Sequence, residues 1–356
     1  MEEKYVSFDS WLGGVSNVRM SYELIASISI IANRTIILPP KIYCCFFSNV
    51  NQKSTFFDIW NILDKAAFIK EFKCVEYNDI PEYAILENDC HYFENVNNIA
   101  LPILFGDKFK QIGAQDAIGN RVIVNNINDI NDFNQFSINR DIVNVNYNNK
   151  FIHFPRNLFG HFYYNIYGNG AGQRNLIKEK IKKGIVYKKE YFDLAKTIKL
   201  KIGEYNAIHI RRNDFIFVNP NYTIPQLDNL MEDIKNRIPN NIPLYIATDE
   251  KNKILFDFLK ERYTIYFLED FFKDLNQYES LVIDQIICSE SDIFLGSKLS
   301  TFSDYINIMR GYYGKKDFHR EGTNFKMSTL VYNKFPWEVE EYGWERIHSY
   351  CWNDEI

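Results

Sequence analysis

Two adjacent guanidinium groups close an apolar strand pattern in Ala207-Ile208-His209-Ile210-Arg211-Arg212-Asn213-Asp214. Side chains alternate along a strand, so His209 and Arg211 share one face, and Arg212 turns elsewhere unless the strand has already ended. Arginine stays charged and presents a rigid fork of donors, which suits a phosphate. Asp214 either fixes one of the arginines or caps the segment that follows. The competing reading is an internal Arg–Asp pair, with His209 as a satisfied core residue.

Three further clusters are polar and sit at expected strand ends. Gly296-Ser297-Lys298-Leu299-Ser300-Thr301-Phe302-Ser303 follows one strand pattern and precedes a helical one. Ser300 or Thr301 is a natural N-cap there, and the free N–H groups of a helix start hold phosphate without a large basic field. An ordinary cap with no ligand is the alternative. Gly13-Gly14-Val15-Ser16-Asn17-Val18-Arg19 is a strand-to-helix turn. Its glycines permit a close backbone approach, Ser16 or Asn17 can start the helix, and Arg19 is in reach of a ligand. Thr248-Asp249-Glu250 ends another strand. Asp249 either accepts donors from a nucleobase or ribose, or caps the next helix.

The elements that must position these clusters read as strand, turn and helix in alternation. Tyr5 to Phe8 is a strand. Apolar residues at Met20, Leu24, Ile25, Ile28 and Ile31 make a helical stripe between Arg19 and Asn33. Thr35 to Leu38 is a strand, stopped by Pro39-Pro40. In the second half, strands are expected at 205–210, 243–247, 263–267 and 292–295. Helices are expected at 173–183, 188–200, 224–237, 251–261 and 278–289, with another starting at Thr301. Four strand-to-helix passages imply an α/β, doubly wound sheet of parallel strands, with ligands at the carboxyl ends. Residues 95–150 are rich in Asn, Ile and Asp and show no clear period.

Composition narrows the partners. The 356 residues are 46% hydrophobic and 24% charged, a core-forming balance, and the length suggests two domains. The formal net charge is -5, so no general basic field exists for nucleic acid, although a local basic pocket is compatible with it. No run of apolar residues is long enough to span a bilayer. The six cysteines are too scattered for a disulfide framework and read as free thiols. No histidine spacing suits a metal, and Asp-x-Asp is absent, so no cofactor is expected. Gly168-Asn169-Gly170-Ala171-Gly172 is a poor dinucleotide loop, because its last glycine comes one residue early. The N-terminus shows no leader, which favours the cytoplasm, with the secretory pathway as the alternative for a trimmed chain.

Taken in order, the clusters resemble the GDP-fucose-dependent protein O-fucosyltransferases, with the α1,6-fucosyltransferases as more distant relatives. Gly13 to Met20 followed by Asn33-Arg34-Thr35-Ile36-Ile37-Leu38-Pro39-Pro40 is similar to the family's N-terminal signature. His209-Ile210-Arg211-Arg212-Asn213-Asp214 resembles its His-x-Arg-Arg-x-Asp motif. Tyr245 to Asp249, and Asp292 to Ser297 with Ser300-Thr301-Phe302, complete the pattern. Residues 41–200 match nothing in it.

The resemblance implies a GT-B-like fold: two Rossmann-like domains facing across a cleft. We assign residues 1–175 to an acceptor-side domain and 176–356 to a GDP-sugar-binding domain, with the terminal segment expected to pack back on the first. It also implies an inverting, metal-independent transfer of fucose from GDP-fucose to a hydroxyl of a protein or glycan. Arg211 and Asn17 are the implied catalytic residues: Arg211 on the diphosphate, and Asn17 near the phosphate and acceptor hydroxyl. The implied donor-binding set is Gly13, Gly14, Asn17, His209, Arg211, Arg212, Asp214, Asp249, Ser300, Thr301 and Phe302. Some family members carry a Glu after the Pro-Pro pair. Here Lys41-Ile42-Tyr43 follows, so an oxygen of the departing diphosphate is the expected proton acceptor. Alternatives are a transferase for another GDP- or UDP-sugar, and an inactive nucleotide- or glycan-binding protein.

Overall fold

The computed structural model describes residues 3–8, 14–39, 42–44, 55–76, 79, 90–95, 122–124, 151–154, 171–212, 232, 234–297, 300–313 and 329–330. The chain divides into two compact units, one within Met1–Val186 and the other within Tyr187–Asn353. The expected packing of the terminal segment lies outside the described residues.

The first unit runs β1 (Tyr5–Phe8), α1 (Val15–Ala32), β2 (Thr35–Leu38), β3 (Ile42–Cys44), β4 (Thr55–Phe57), α2 (Lys65–Glu71), β5 (Cys74–Glu76), β6 (Cys90–Asn95), β7 (Val122–Val124), β8 (Phe151–Phe154) and α3 (Ala171–Gly184). Its main sheet has the order β5-β2-β1-β8-β6-β7, with every pairing parallel. Strands β3 and β4 form a separate antiparallel pair. Helix α1 is longer at its start than the apolar stripe predicts, because Gly14 is already its N-cap. It is also buried on its polar face, where Arg19, Glu23 and Ser27 are nearly inaccessible. The Ser27 hydroxyl donates to the Glu23 carbonyl at 2.8 Å, so it enters the core satisfied. The helix ends at Asn33 in the left-handed region (φ 49°), where an asparagine is tolerated, and the Arg34 amide returns to Ser29 O. Tyr22 seals α1 against the rest of the unit through edge contacts with Phe8, Trp60 and Phe68.

The second unit runs α4 (Lys189–Ile202), β9 (Asn206–Ile210), β10 (Leu244–Thr248), β11 (Ile265–Tyr266), α5 (Gln277–Glu290), β12 (Phe294–Ser297), α6 (Thr301–Tyr312) and β13 (Thr329–Leu330). Its sheet has the order β11-β10-β9-β12-β13, again parallel throughout. Ile208, Ile210, Ile246, Phe256, Leu259 and Leu295 belong to one fully buried cluster. Three tyrosine hydroxyls reach α5: Tyr187 donates to Gln285, Tyr205 to the Ile287 carbonyl, and Tyr245 to Asp284. Among the described residues no helix is long and apolar enough to cross a membrane.

Two element boundaries differ from the sequence pattern for identifiable reasons. Strand β12 starts at Phe294 and not at Asp292, and it includes Gly296 and Ser297. The Arg310 guanidinium donates to the carbonyls of Ser291 (2.7 Å) and Asp292 (2.8 Å), holding them in the turn that closes α5. Strand β11 is only Ile265–Tyr266. The Tyr263 amide turns back to Leu259 O, and the Phe267 amide is taken by the Asp270 carboxylate at 2.8 Å. The stretch expected as a helix over 251–261 winds as a 3-10 helix over Lys253–Leu259. Of the helix expected at 224–237, the described residues 232 and 234–237 are helical.

Helix α6 comes so close to β12 that a Cβ on Gly296 would lie 2.5 Å from Ser303 Cβ and 2.8 Å from its Oγ. Space, and not backbone conformation, demands glycine there. Gly296→Ala is expected to cost about 1–3 kcal/mol, the range for overpacking, seen as a lower midpoint in chemical denaturation. Burial pushes the half-buried Asp284 carboxyl up to about 7, with Glu269 adding to the rise and the Tyr245 hydrogen bond and Lys253 opposing it. The unfolded value is about 3.9, so between these limits the folded chain holds a proton that the unfolded chain has lost. Ionising Asp284 therefore weakens the fold as pH rises through that window. Thermal melts should show Asp284→Asn gaining stability relative to the parent as pH rises over that range. A pH-independent difference between the two would mean that the carboxyl ionises as easily in the fold as outside it.

Candidate functional site

The chain order of the second sheet sets the site. From β9 the chain builds outward through β10 to β11, then returns to lay β12 on the other side of β9. The carboxyl ends of β9 and β12 thus flank a topological switch point, the place where open sheets of this kind bind ligands. His209, Ile210 and Arg211 stand at one side of it, and Gly296 and Ser297 at the other.

The way β9 leaves the sheet is specific. Strand β12 pairs with it at Phe294↔Ala207 and Leu295↔Ile208. Two residues further in the same register, Ser297 falls opposite Ile210. A backbone ladder would there serve His209 O and Arg211 N–H. The Ser297 hydroxyl serves both instead: it donates to the His209 carbonyl and accepts the Arg211 amide, each at 2.8 Å. The Ser297 amide goes to Ser303 Oγ at 2.9 Å. On the other flank, β10 pairs to Thr248↔Ile210, which sets Asp249 opposite Arg211. There the Asp249 carboxylate, and not its backbone, accepts the Arg212 amide at 2.7 Å. Consecutive amides are therefore gripped from opposite sides by two side chains.

The side chains follow from this exit. His209 is 7% exposed; its Nδ1 shares a 2.7 Å hydrogen bond with Ser303 Oγ, and its ring lies 4.5 Å from that of Phe302. Arg211 is half-buried at the strand end, whereas Arg212 is buried and its Nε pairs with Glu250 at 3.2 Å. The two arginines, equivalent as a motif, thus have different surroundings. Arg212 Nη1 is buried with no hydrogen-bond partner among the described residues. Ser300 is the N-cap of α6 by position, yet its hydroxyl makes no cap bond, and this fully buried oxygen also has no partner among the described residues. Thr301 and Phe302 open the helix, whose first N–H groups carry its positive end.

Gly14 and Asn17 belong to the first unit. The switch there lies at β1, flanked by β2 and β8, and α1 follows β1. Gly14 has φ -67° and ψ 179°, extended backbone open to any residue. Asn17 is half-buried in the first turn of α1, and Ser21 Oγ donates to its carbonyl at 3.0 Å. Arg19 is turned inward, donating to Ile185 O at 2.8 Å and lying 3.7 Å from Glu23. Gly13 and Asp214 lie outside the described residues. Among the described residues no group of three or more His, Cys, Asp or Glu side chains could hold a metal ion. The sequence pointed to the segments that carry Ser297, Ser303 and Glu250 but not to their tasks. The one local signal was a hydroxyl residue directly after the strand glycine.

Known proteins place the chain among relatives. The family model described as GDP-fucose protein O-fucosyltransferase matches residues 5–313. GDP-fucose protein O-fucosyltransferase 2 of Homo sapiens is 28% identical over 113 residues, as is that of Pan troglodytes. That stretch is 30% of this chain and spans only 26% of those relatives' length. The crystal structure of POFUT1 in complex with GDP superposes with a TM-score of 0.53 at 13% identity, covering 93% of this chain and 99% of that one. POFUT1 in complex with GDP-fucose gives 0.53 at 14% identity, covering 86% and 94%. At such identity the likeness speaks for the fold, a GT-B-like chain of two Rossmann-like units. With the family model spanning most of its length, the chain belongs to the GDP-fucose protein O-fucosyltransferase family.

Proposed function

We propose that the chain is an inverting, metal-independent fucosyltransferase that moves fucose from GDP-fucose to a hydroxyl of a protein or glycan. The observation that carries this reading is the side-chain grip on the β9 exit. It holds Arg211 beside the start of α6 at a switch point, in a chain of this family. Breaking a glycosyl–phosphate bond builds negative charge on the departing diphosphate. The Arg211 backbone and the first N–H groups of α6 are fixed before that charge appears, so the guanidinium meets it from an anchored stem. The unpartnered Ser300 hydroxyl gives the same locus one more donor.

The remaining residues take supporting roles in this reading. The His209–Phe302 ring pair offers an aromatic wall for the guanine. Asp249 and Arg212 hold the loop, whatever contact Asp249 also makes with the nucleoside. Asn17 orients the acceptor hydroxyl, and a diphosphate oxygen takes its proton as the glycosidic bond to fucose forms and the bond to phosphate breaks. Inversion follows from a single displacement at the anomeric carbon.

A donor panel tests the assignment. GDP release and sugar transfer should be fastest with GDP-fucose, ahead of GDP-mannose and UDP-GlcNAc, and EDTA should leave the rate intact. No preference for GDP-fucose would overturn the reading. Arg211→Ala should lower turnover by at least about a hundredfold, the scale of one preorganised transition-state donor, in a chain that still folds. Unchanged turnover would remove Arg211 from the mechanism.

A further inference from the structure

We propose that Ser297 is a positioning residue for transfer, fixing the direction in which Arg211 leaves the sheet. This rests on the role given to Arg211 above. Ser297 is 2% exposed, so its hydroxyl is not a surface group with water as an alternative partner. Its oxygen meets two backbone groups two residues apart on β9, His209 O and Arg211 N–H. These are the two groups that a paired residue opposite Ile210 would satisfy. The hydroxyl therefore continues the sheet by one step while its own backbone is directed elsewhere, with the amide on Ser303 Oγ.

That amide contact ties the grip to α6. Ser303 Oγ also meets His209 Nδ1, so one small hydroxyl pair joins the β9 exit, the His209 ring and the start of α6. The closeness of Gly296 to Ser303 leaves this pair little room to shift. Losing the Ser297 hydroxyl would leave the Arg211 amide and the His209 carbonyl without that bond at the point where the chain turns. The backbone would relax to recover bonds, and the guanidinium would move with it. Misplacement of about 1 Å is enough to cost two orders of magnitude in a positioned reaction.

The test is a double-mutant cycle on the full chain, with steady-state GDP release from GDP-fucose as the readout and melting temperature as the folding control. Ser297→Ala should lower kcat by at least about tenfold, with a smaller change in KM. Ser297→Thr, which keeps the hydroxyl, should stay within about threefold of the parent. In an Arg211→Ala background, Ser297→Ala should change kcat by less than about twofold, because the group it positions is gone. An equal loss in both backgrounds, or no loss in the parent, would overturn the proposal. If Ser297→Ala does not fold, Ser297→Cys, a weaker and longer partner, takes its place under the same criteria. Full activity of Arg211→Ala would instead sink the role of Arg211, and an impaired Arg211→Ala beside a fully active Ser297→Ala would sink only the positioning role.

Discussion

A strand that leaves a parallel sheet must find partners for its peptide groups, because an unpaired N–H or C=O in a buried place costs free energy comparable to a lost hydrogen bond. At the end of β9 this constraint is met by Ser297 on one flank and Asp249 on the other. The rest of the second unit is arranged around it. Gly296 lets α6 approach, Ser303 then receives the Ser297 amide, and His209 and Phe302 are set against the same helix start. The short apolar strands of the sheet supply the rigid frame, and polar side chains appear where the backbone pairing stops.

That division explains what could be read from the amino-acid order. Apolar runs such as 206–210 and 244–248 announce buried parallel strands, and the residues just beyond them announce a site, because both signals are local. The helix over Val15–Ala32 was legible for the same reason, although its buried Arg19 and Glu23 were not. The tasks of Ser297 and Asp249 were hidden, since they depend on the register between segments far apart in sequence. The late start of β12 was hidden likewise: nothing within residues 291–295 reveals that Arg310 claims the carbonyls of Ser291 and Asp292. Asp249, weighed between a ligand contact and a helix cap, has a further task that neither reading included, holding the Arg212 amide.

The arrangement also bears on how, in the proposed reading, a chain of acidic net charge would serve a polyanionic donor. A single diphosphate needs few donors if they are fixed in advance, and fixed donors are stronger in a partly dry site than mobile ones in water. The two neighbouring arginines divide this labour. Arg212 is drawn into the fold by Glu250, while Arg211 keeps a half-exposed place at the strand end. A motif that looks like doubled positive charge is, in three dimensions, one arginine anchored in the fold beside another at its edge.

Arg310 sits in the last turn of α6, away from the helix start, and touches the chain at the close of α5. It holds the turn just ahead of the pairing that brings Ser297 opposite Ile210. If the start of α6 holds the donor as proposed, alleles at this position would score with those of that site, although Arg310 lies at the other end of the helix. A map of tolerance drawn by distance from the helix start would pass over it, whereas one drawn by the turns that launch each strand would not.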